Sequence, residues 1–256
     1  MSQQTLKIDL IRETDFCIET SESTVYIIGT TFTLPAFNQN IFAGKNLVVQ
    51  AYDLTIPASL NLPSKNVSIT TRTLRIPARV KISVGGVNGA VARPAKANNG
   101  RSPGDHGKSG KVGNNGATAG AIELTYQAYE GEMLTLESIG GDGGIAQVGG
   151  DGQNGKPGAN ARERRPNDRG PGHVGGRGFA GGNAGNGGIG GTGGNGGRIN
   201  INTTDADVDS NIRTSVNGGS GGSGAGAGSP GNGGPGGRGS KGVDCEFFDR
   251  PGPDHF

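Results

Sequence analysis

The sequence has no Trp, only 5% aromatic residues and 31% hydrophobic residues. An ordinary globular enzyme domain fills its core with roughly 45–50% apolar residues, so no core of that kind extends through this chain. No run of roughly 18 apolar residues occurs, which excludes a helical membrane span. Lys and Arg number 24 against 22 Asp and Glu, so neither charge dominates and the electrostatic footprint of a nucleic-acid binder is missing. The opening MSQQTLKIDL lacks a basic segment followed by an apolar one, so no ordinary secretory signal is read there. Two cysteines, Cys17 and Cys245, dictate no framework: they are unrelated thiols, or one pair tying the two ends. His106, His173 and His255 are far apart, without metal-ligand spacing. There is no Gly-x-Ser-x-Gly elbow and no phosphate-binding loop. Asp53 and Glu123, the acidic residues on obvious strands, belong to different repeats. The chain is therefore read as a non-enzyme without a required cofactor.

Glycine is what the chain does have. It supplies 53 of 256 residues, about three times the usual share. All but Gly29, Gly44 and Gly252 fall between Gly85 and Gly242. The chain is thus two materials, a conventional first third and a glycine-rich remainder.

The first third is repetitive. Residues 45–64 read KNLVVQAYDLTIPASLNLPS and residues 65–84 read KNVSITTRTLRIPARVKISV. Lys45/Lys65, Asn46/Asn66, Leu54/Leu74, Ile56/Ile76, Pro57/Pro77 and Ala58/Ala78 recur without a gap. An earlier copy runs from Phe32 to Ala36 and echoes Leu54 to Ala58. Apolar residues alternate, as in Leu47/Val49, Leu54/Ile56 and Leu60/Leu62, which predicts short strands with one buried face. Three such strands per copy make one coil of a parallel β-helix, and a coil buries its inner face only by stacking on another. Pro57 and Pro77 suit corners, where no ladder donor is needed. Two later segments, 121–141 and 198–219, have the same design, because Val67, Ile122 and Ile199 stand at similar distances from the glycine pairs that follow them.

The copy at 65–84 and each of the two later coils is followed by a glycine-rich excursion: 85–120, 140–197 and 218–242. Small residues keep a step of three, as in Gly104, Gly107, Gly110, Gly113 and Gly116, or Gly143, Ala146, Gly149 and Gly152. From residue 182 to 197 two of every three residues are Gly, except that Ala184 stands in for one, leaving Asn183, Asn186, Ile189, Thr192 and Asn195 on the third face. A step of three matches a left-handed polyproline-type helix, and a glycine face lets a neighbouring backbone come close. A flexible linker has no reason to keep that register. Collagen needs unbroken Gly-X-Y and far more than 13 Pro. The expected fold class is all-β or irregular with almost no α-helix: a short parallel β-solenoid base bearing polyglycine II bundles. The expected organisation is coils at 1–84, a bundle at 85–242 interleaved with the coils at 121–141 and 198–219, and a tail or linker at 243–256.

The triplets of Gly187-Gly-Ile-Gly-Gly-Thr-Gly-Gly-Asn-Gly-Gly197 resemble the polyglycine II sandwich of phage tail-fibre tip adhesins. They are similar also to snow-flea-type glycine-rich antifreeze proteins, from which the β-coils depart. The resemblance is one of period and covers residues 85–242. In the adhesins, receptor contact lies in loops at the bundle tip. That implies a recognition module, extracellular or on a virion or cell surface, which binds a glycan or receptor.

If each excursion goes out and returns, its middle is a tip. The first tip is 93–101, with Arg93, Lys96 and Arg101. The second is 161–174, with Arg162, Arg164, Arg165, Arg169 and His173, and the third lies near 225–232. Clustered Arg suits anionic sugars, phosphates or carboxylates, and a solvated turn is the plainer reading. Phe179 and Ile189 are the bulky exceptions, which stack on a sugar or pack at a bundle edge, the second being the plainer reading. Asp205, Asp207 and Asp209 alternate along an extended segment, which suits calcium or a solvated corner. Two further functions stay open: a spacer or capping domain attached to other domains of a larger protein, and ice binding by the short Thr runs at 30–33 and 70–73.

Overall fold

The computed structural model describes residues 16–34, 44–93, 95–163, 171–204 and 211–241. Among them are eleven strands and no helix. β1 is Phe16–Thr20, β2 Thr24–Thr33, β3 Asn46–Thr55, β4 Leu60–Asn61, β5 Val67–Ile76 and β6 Val80–Ser83. β7 is Ile122–Tyr126, β8 Ala128–Gly131, β9 Leu134–Glu137, β10 Ile199–Thr203 and β11 Ile212–Ser215. One sheet has the order β1-β2-β3-β5-β7-β10, with β8 also on β5; the other has the order β11-β9-β6-β4. Every pairing is parallel except β1 on β2.

The registers follow the repeat. Leu47 faces Val67 and Leu54 faces Leu74 across β3 and β5, at the twenty-residue offset of the two copies. Phe32 faces Leu54 across β2 and β3. Val67 faces Ile122, and Ile199 faces Ile122, although long glycine-rich insertions separate them in the chain. Alternating side chains therefore stack in apolar columns, such as Val25, Leu47, Val67 and Ile122, each at most 1% exposed. One buried cluster includes residues of both sheets. Ile199, Ile201 and Ile212 in the last layer are only partly buried against it.

The strands differ from the expected three per copy. β3 and β5 each run ten residues without a break. The corner is instead a change of parity: Leu47 and Val49 are buried, then Leu54, while β5 buries Val67, Ile69 and Thr71, then Leu74 and Ile76. Thr71 sits at that change, 4% exposed, and its hydroxyl reaches the carbonyl oxygens of Tyr52 (3.1 Å) and Thr73 (3.0 Å). A backbone turned away from its ladder needs such a donor, since a buried unpaired carbonyl is costly. In the next layer the corner is a real break, at Gln127 between β7 and β8. At the turn into the second and third copies, Gly44 has φ +77° and Ser64, twenty residues on, has φ +57°, so one left-handed turn is built with and without glycine.

The chain forms two compact units. One comprises Met1–Ala92, Val112–Ala146 and Ile189–Gly224; the other comprises Arg93–Lys111, Gln147–Gly188 and Ala225–Phe256. All eleven strands belong to the first unit.

In the first unit the glycine-rich parts are five extended threads: 85–92, 112–120, 138–146, 189–197 and 217–224. Their hydrogen bonds recur every third residue. Gly86, Gly89 and Ala92 donate to the carbonyls of Ile139, Asp142 and Ile145. Gly140, Gly143 and Ala146 donate to Asn217, Ser220 and Ser223. Gly141 and Gly144 donate to Ala117 and Asn114, and Gly194 and Gly191 donate back to Gly141 and Gly144. The third thread thus bonds to the other four. The first, third and fifth run one way, and the second and fourth run the other. Glycine is needed because a Cβ on Gly113, Gly144 or Gly191 would meet a neighbouring carbonyl.

The second unit repeats the scheme with 95–100, 105–111, 147–161, 173–188 and 225–240. Gly149, Gly152, Gly155 and Gly158 donate to Gly226, Ser229, Asn232 and Pro235. Gly228, Gly231, Gly234 and Gly237 donate to Gly185, Gly182, Phe179 and Gly176. The reversal after the first thread falls at 101–105, not in the middle of 93–101. Gly100 still bonds Asp151, Gly104 takes φ +84°, and Asp105 caps Ser102. Residues 225–232 make no tip at all. They belong to the fifth thread of this unit, whose three-residue bonding persists to Gly237.

Candidate functional site

The outward face of the threads carries Asn, Asp, Ser and Thr, and among them exposed apolar residues such as Val87, Val91, Val112, Ile145 and Val148. A thread residue on that face has a backbone N–H for which no glycine carbonyl is positioned. At Asp142, Asp151, Thr192, Ser220, Ser229, Asn232 and Arg238 a neighbouring side chain takes it. Asn88 Oδ1 accepts the N–H of Asp142 (2.8 Å) while the next residue, Gly89, donates to the Asp142 carbonyl (2.7 Å). Asp142 repeats the step on Ser220, with Oδ1 at 2.7 Å and Gly143 at 2.8 Å. The same two-bond clamp joins Asn99 to Asp151, Asp151 to Ser229, Asn115 to Thr192, Asn154 to Asn232 and Asn160 to Arg238. His106 serves through Nδ1, on Asn183. The same clamp also joins neighbouring strands of the β part: Asn46 clamps Asn66, and Asn66 clamps Ala121. Every clamp joins parallel neighbours and so sets their register. Sequence reasoning noted the Asn46/Asn66 recurrence but missed this role. Asn or Asp directly before Gly marks the clamps at Asn88, Asn99, Asn115, Asp142, Asp151 and Asn154, but the same pair at Asn186, Asn195, Asn217 and Asn232 makes none among the described residues.

Of the basic residues expected at tips, Lys96 is already engaged. Its Nζ lies 2.5 Å from Asp151 Oδ1. That hydrogen bond, followed by the one from the Ser229 backbone, holds the Asp151 carboxyl below its ordinary range. Because the carboxylate form is favoured on folding, its contribution is present above the unfolded pKa and lost as pH falls through the lowered folded one. Melting temperatures taken from pH 7 down to pH 2 should show this loss in the wild-type chain. In Asp151→Asn, which keeps an Oδ1 acceptor for Ser229, the acid-dependent component should be smaller.

Arg93 and Arg101 are exposed. Arg162 and His173 are exposed as well and flank one stretch of the fifth thread. Ala161 donates to the Arg238 carbonyl (2.8 Å), while His173 and Ser240 exchange two bonds, from His173 N–H to Ser240 Oγ (2.8 Å) and from Ser240 N–H to the His173 carbonyl (2.9 Å). Arg238, exposed and absent from the sequence reasoning, joins them there. Arg164, Arg165 and Arg169 lie outside the described residues, as do Asp205, Asp207 and Asp209. Among the described residues no group of three His, Cys, Asp or Glu is arranged to hold a metal ion.

The Thr runs form no regular outer array. Thr71 is buried, Thr31 and Thr73 flank Asp53 in one column, and Thr33 and Thr55 lead to Arg75 in another. Asp53 pairs with Arg75 (3.9 Å), which also pairs with Glu130 (2.8 Å). Glu123 stands in a different column, beside Ser68. Phe179 and Ile189 are 62% and 74% exposed, so neither packs into a bundle interior. No described helix is long and apolar enough to cross a membrane. No family model, curated protein or solved structure matches the chain.

Proposed function

We propose that the chain is a short β-solenoid from which polyglycine II threads project, and that it serves as a non-catalytic recognition module on an extracellular, virion or cell surface. The observation carrying this reading is the hydrogen bonding, within each unit, of five threads at steps of three, since a helix of three residues per turn aims one donor row at each neighbour. Threads braced in this way can hold the two ends of an intervening segment, as Ala161 and His173 are held by Arg238 and Ser240. The segment of choice is 162–173, with Arg162, Arg164, Arg165 and Arg169, because Arg guanidinium groups bind carboxylates, sulfates or phosphates through paired N–H donors. The ligand class is accordingly an anionic surface glycan or receptor. Such a site resembles the tip loops of the tail-fibre adhesins in location, though not in residue identity.

The test is a variant with Arg162, Arg164, Arg165 and Arg169 all changed to Ser, assayed on an anionic glycan array and on whole cells. Binding should fall at least about tenfold, since each lost charge-assisted bond is worth about 1.5–3 kcal/mol, while the melting curve stays unchanged. Unaltered binding sinks this tip as the site.

A second reading, a structural spacer or capping domain of a larger protein, is favoured by the clamps. They use much of the outward polar face to hold threads together rather than leaving it for a ligand. Absence of any binding by the unmodified chain would favour this spacer role.

A further inference from the structure

Eight Asn residues of this chain directly precede Gly, the dipeptide in which Asn most readily loses ammonia. In that reaction the glycine nitrogen attacks the side-chain carbonyl carbon. A five-membered imide forms, ammonia leaves, and water opens the ring to Asp or isoAsp. Both participants must be free: the carboxamide to swing, and the Gly N–H to lose its proton.

The eight are all exposed, so access does not distinguish them. The clamps do. At Asn88, Asn99, Asn115 and Asn154 the Oδ1 atom holds a neighbouring N–H, at 2.7–3.0 Å. At each of them the following Gly N–H is bonded to the carbonyl of that same neighbour, at 2.7–2.9 Å. At Asn186, Asn195, Asn217 and Asn232 neither the carboxamide oxygen nor the N–H of the next Gly has a hydrogen-bond partner among the described residues.

We propose that the clamps partition spontaneous deamidation, confining it to Asn186, Asn195, Asn217 and Asn232 and sparing Asn88, Asn99, Asn115 and Asn154. Reaction at the clamped set requires two bonds to open together, so it waits on local opening of the threads. The vulnerable positions all lie on the fourth and fifth threads. An isoAsp there inserts one extra backbone atom, which breaks the step of three that aligns the donors.

The test is peptide mass spectrometry of the intact chain after incubation at pH 8.5 and 37 °C, with a parallel sample unfolded in urea. The quantity compared is each site's folded rate divided by its unfolded rate, which cancels differences due to flanking residues. That ratio should be at least about tenfold smaller for the clamped set than for the other four. Equal ratios for the two sets, or a larger ratio for the clamped set, would overturn the proposal.

Discussion

Replacing Gly191 by Ala should lower the melting temperature sharply, while replacing Gly226 by Ala should leave it unchanged or raise it. Both residues lie on extended threads with a negative φ, so backbone freedom does not separate them. Space does. A Cβ on Gly191 would fall on the carbonyl of Asn114, with the Gly113 carbonyl close behind. Both are backbone atoms of a neighbouring thread, held in turn by bonds from Gly144 to Asn114 and from Gly113 to Ile189. No flexible side chain can yield, so the second and fourth threads must separate, and bonds on either side stretch. Overpacking of this kind costs about 3 kcal/mol, or roughly 6–12 °C for a domain of this size. Around Gly226 nothing lies within 4 Å of the added methyl. There Ala restricts the unfolded chain and should stabilise by about 0.4–1 kcal/mol. Thermal melts of the two variants decide the matter: equal effects would mean that the threads are not packed against one another.

The second large effect belongs to the apolar columns. Leu54 is fully buried between Phe32 and Leu74 in the adjacent strands. Leu54→Ala should cost about 2–5 kcal/mol, the range for a buried Leu whose surroundings collapse only partly. Ile201, in the last layer, faces Leu124 on one side and is only partly buried. Ile201→Ala should cost about 1–2 kcal/mol, because less apolar area leaves water when that residue folds into place. Denaturant titration measures both. Equal losses would mean that the stack has no exposed final layer.

Much of the β part was legible beforehand. Alternation named the buried residues, and the recurrence of Asn46, Leu54 and Ile56 twenty residues on aligned Asn46–Thr55 with Val67–Ile76. The equal distances from Val67 and Ile122 to later glycine pairs aligned the strand at Ile122–Tyr126 with Val67–Ile76 beyond a long insertion. The all-β, helix-free character holds among the described residues. The corner did not show, because β3 and β5 change parity inside one continuous strand, and Thr71 reads as an ordinary polar strand residue until its hydroxyl is seen between two carbonyls.

The reversal after the first thread was misplaced for a similar reason. Basic residues at 93–101 look like a loop, yet Ala97 and Gly100 still bond the third thread, through Val148 and Asp151. The clamps were invisible because each joins residues 20 to 78 apart in the chain. Spacing along one thread says nothing about which partner stands opposite.

Local periodicity was settled by the sequence alone. A step of two marks a face that must be buried, and a step of three marks a face that must stay small, since both follow from the geometry of a single extended segment. Only the tertiary structure decided which segments became neighbours, in which direction and in what register. Those choices depend on donors and acceptors meeting across long loops, where Asn88 finds Asp142 and Asp142 finds Ser220.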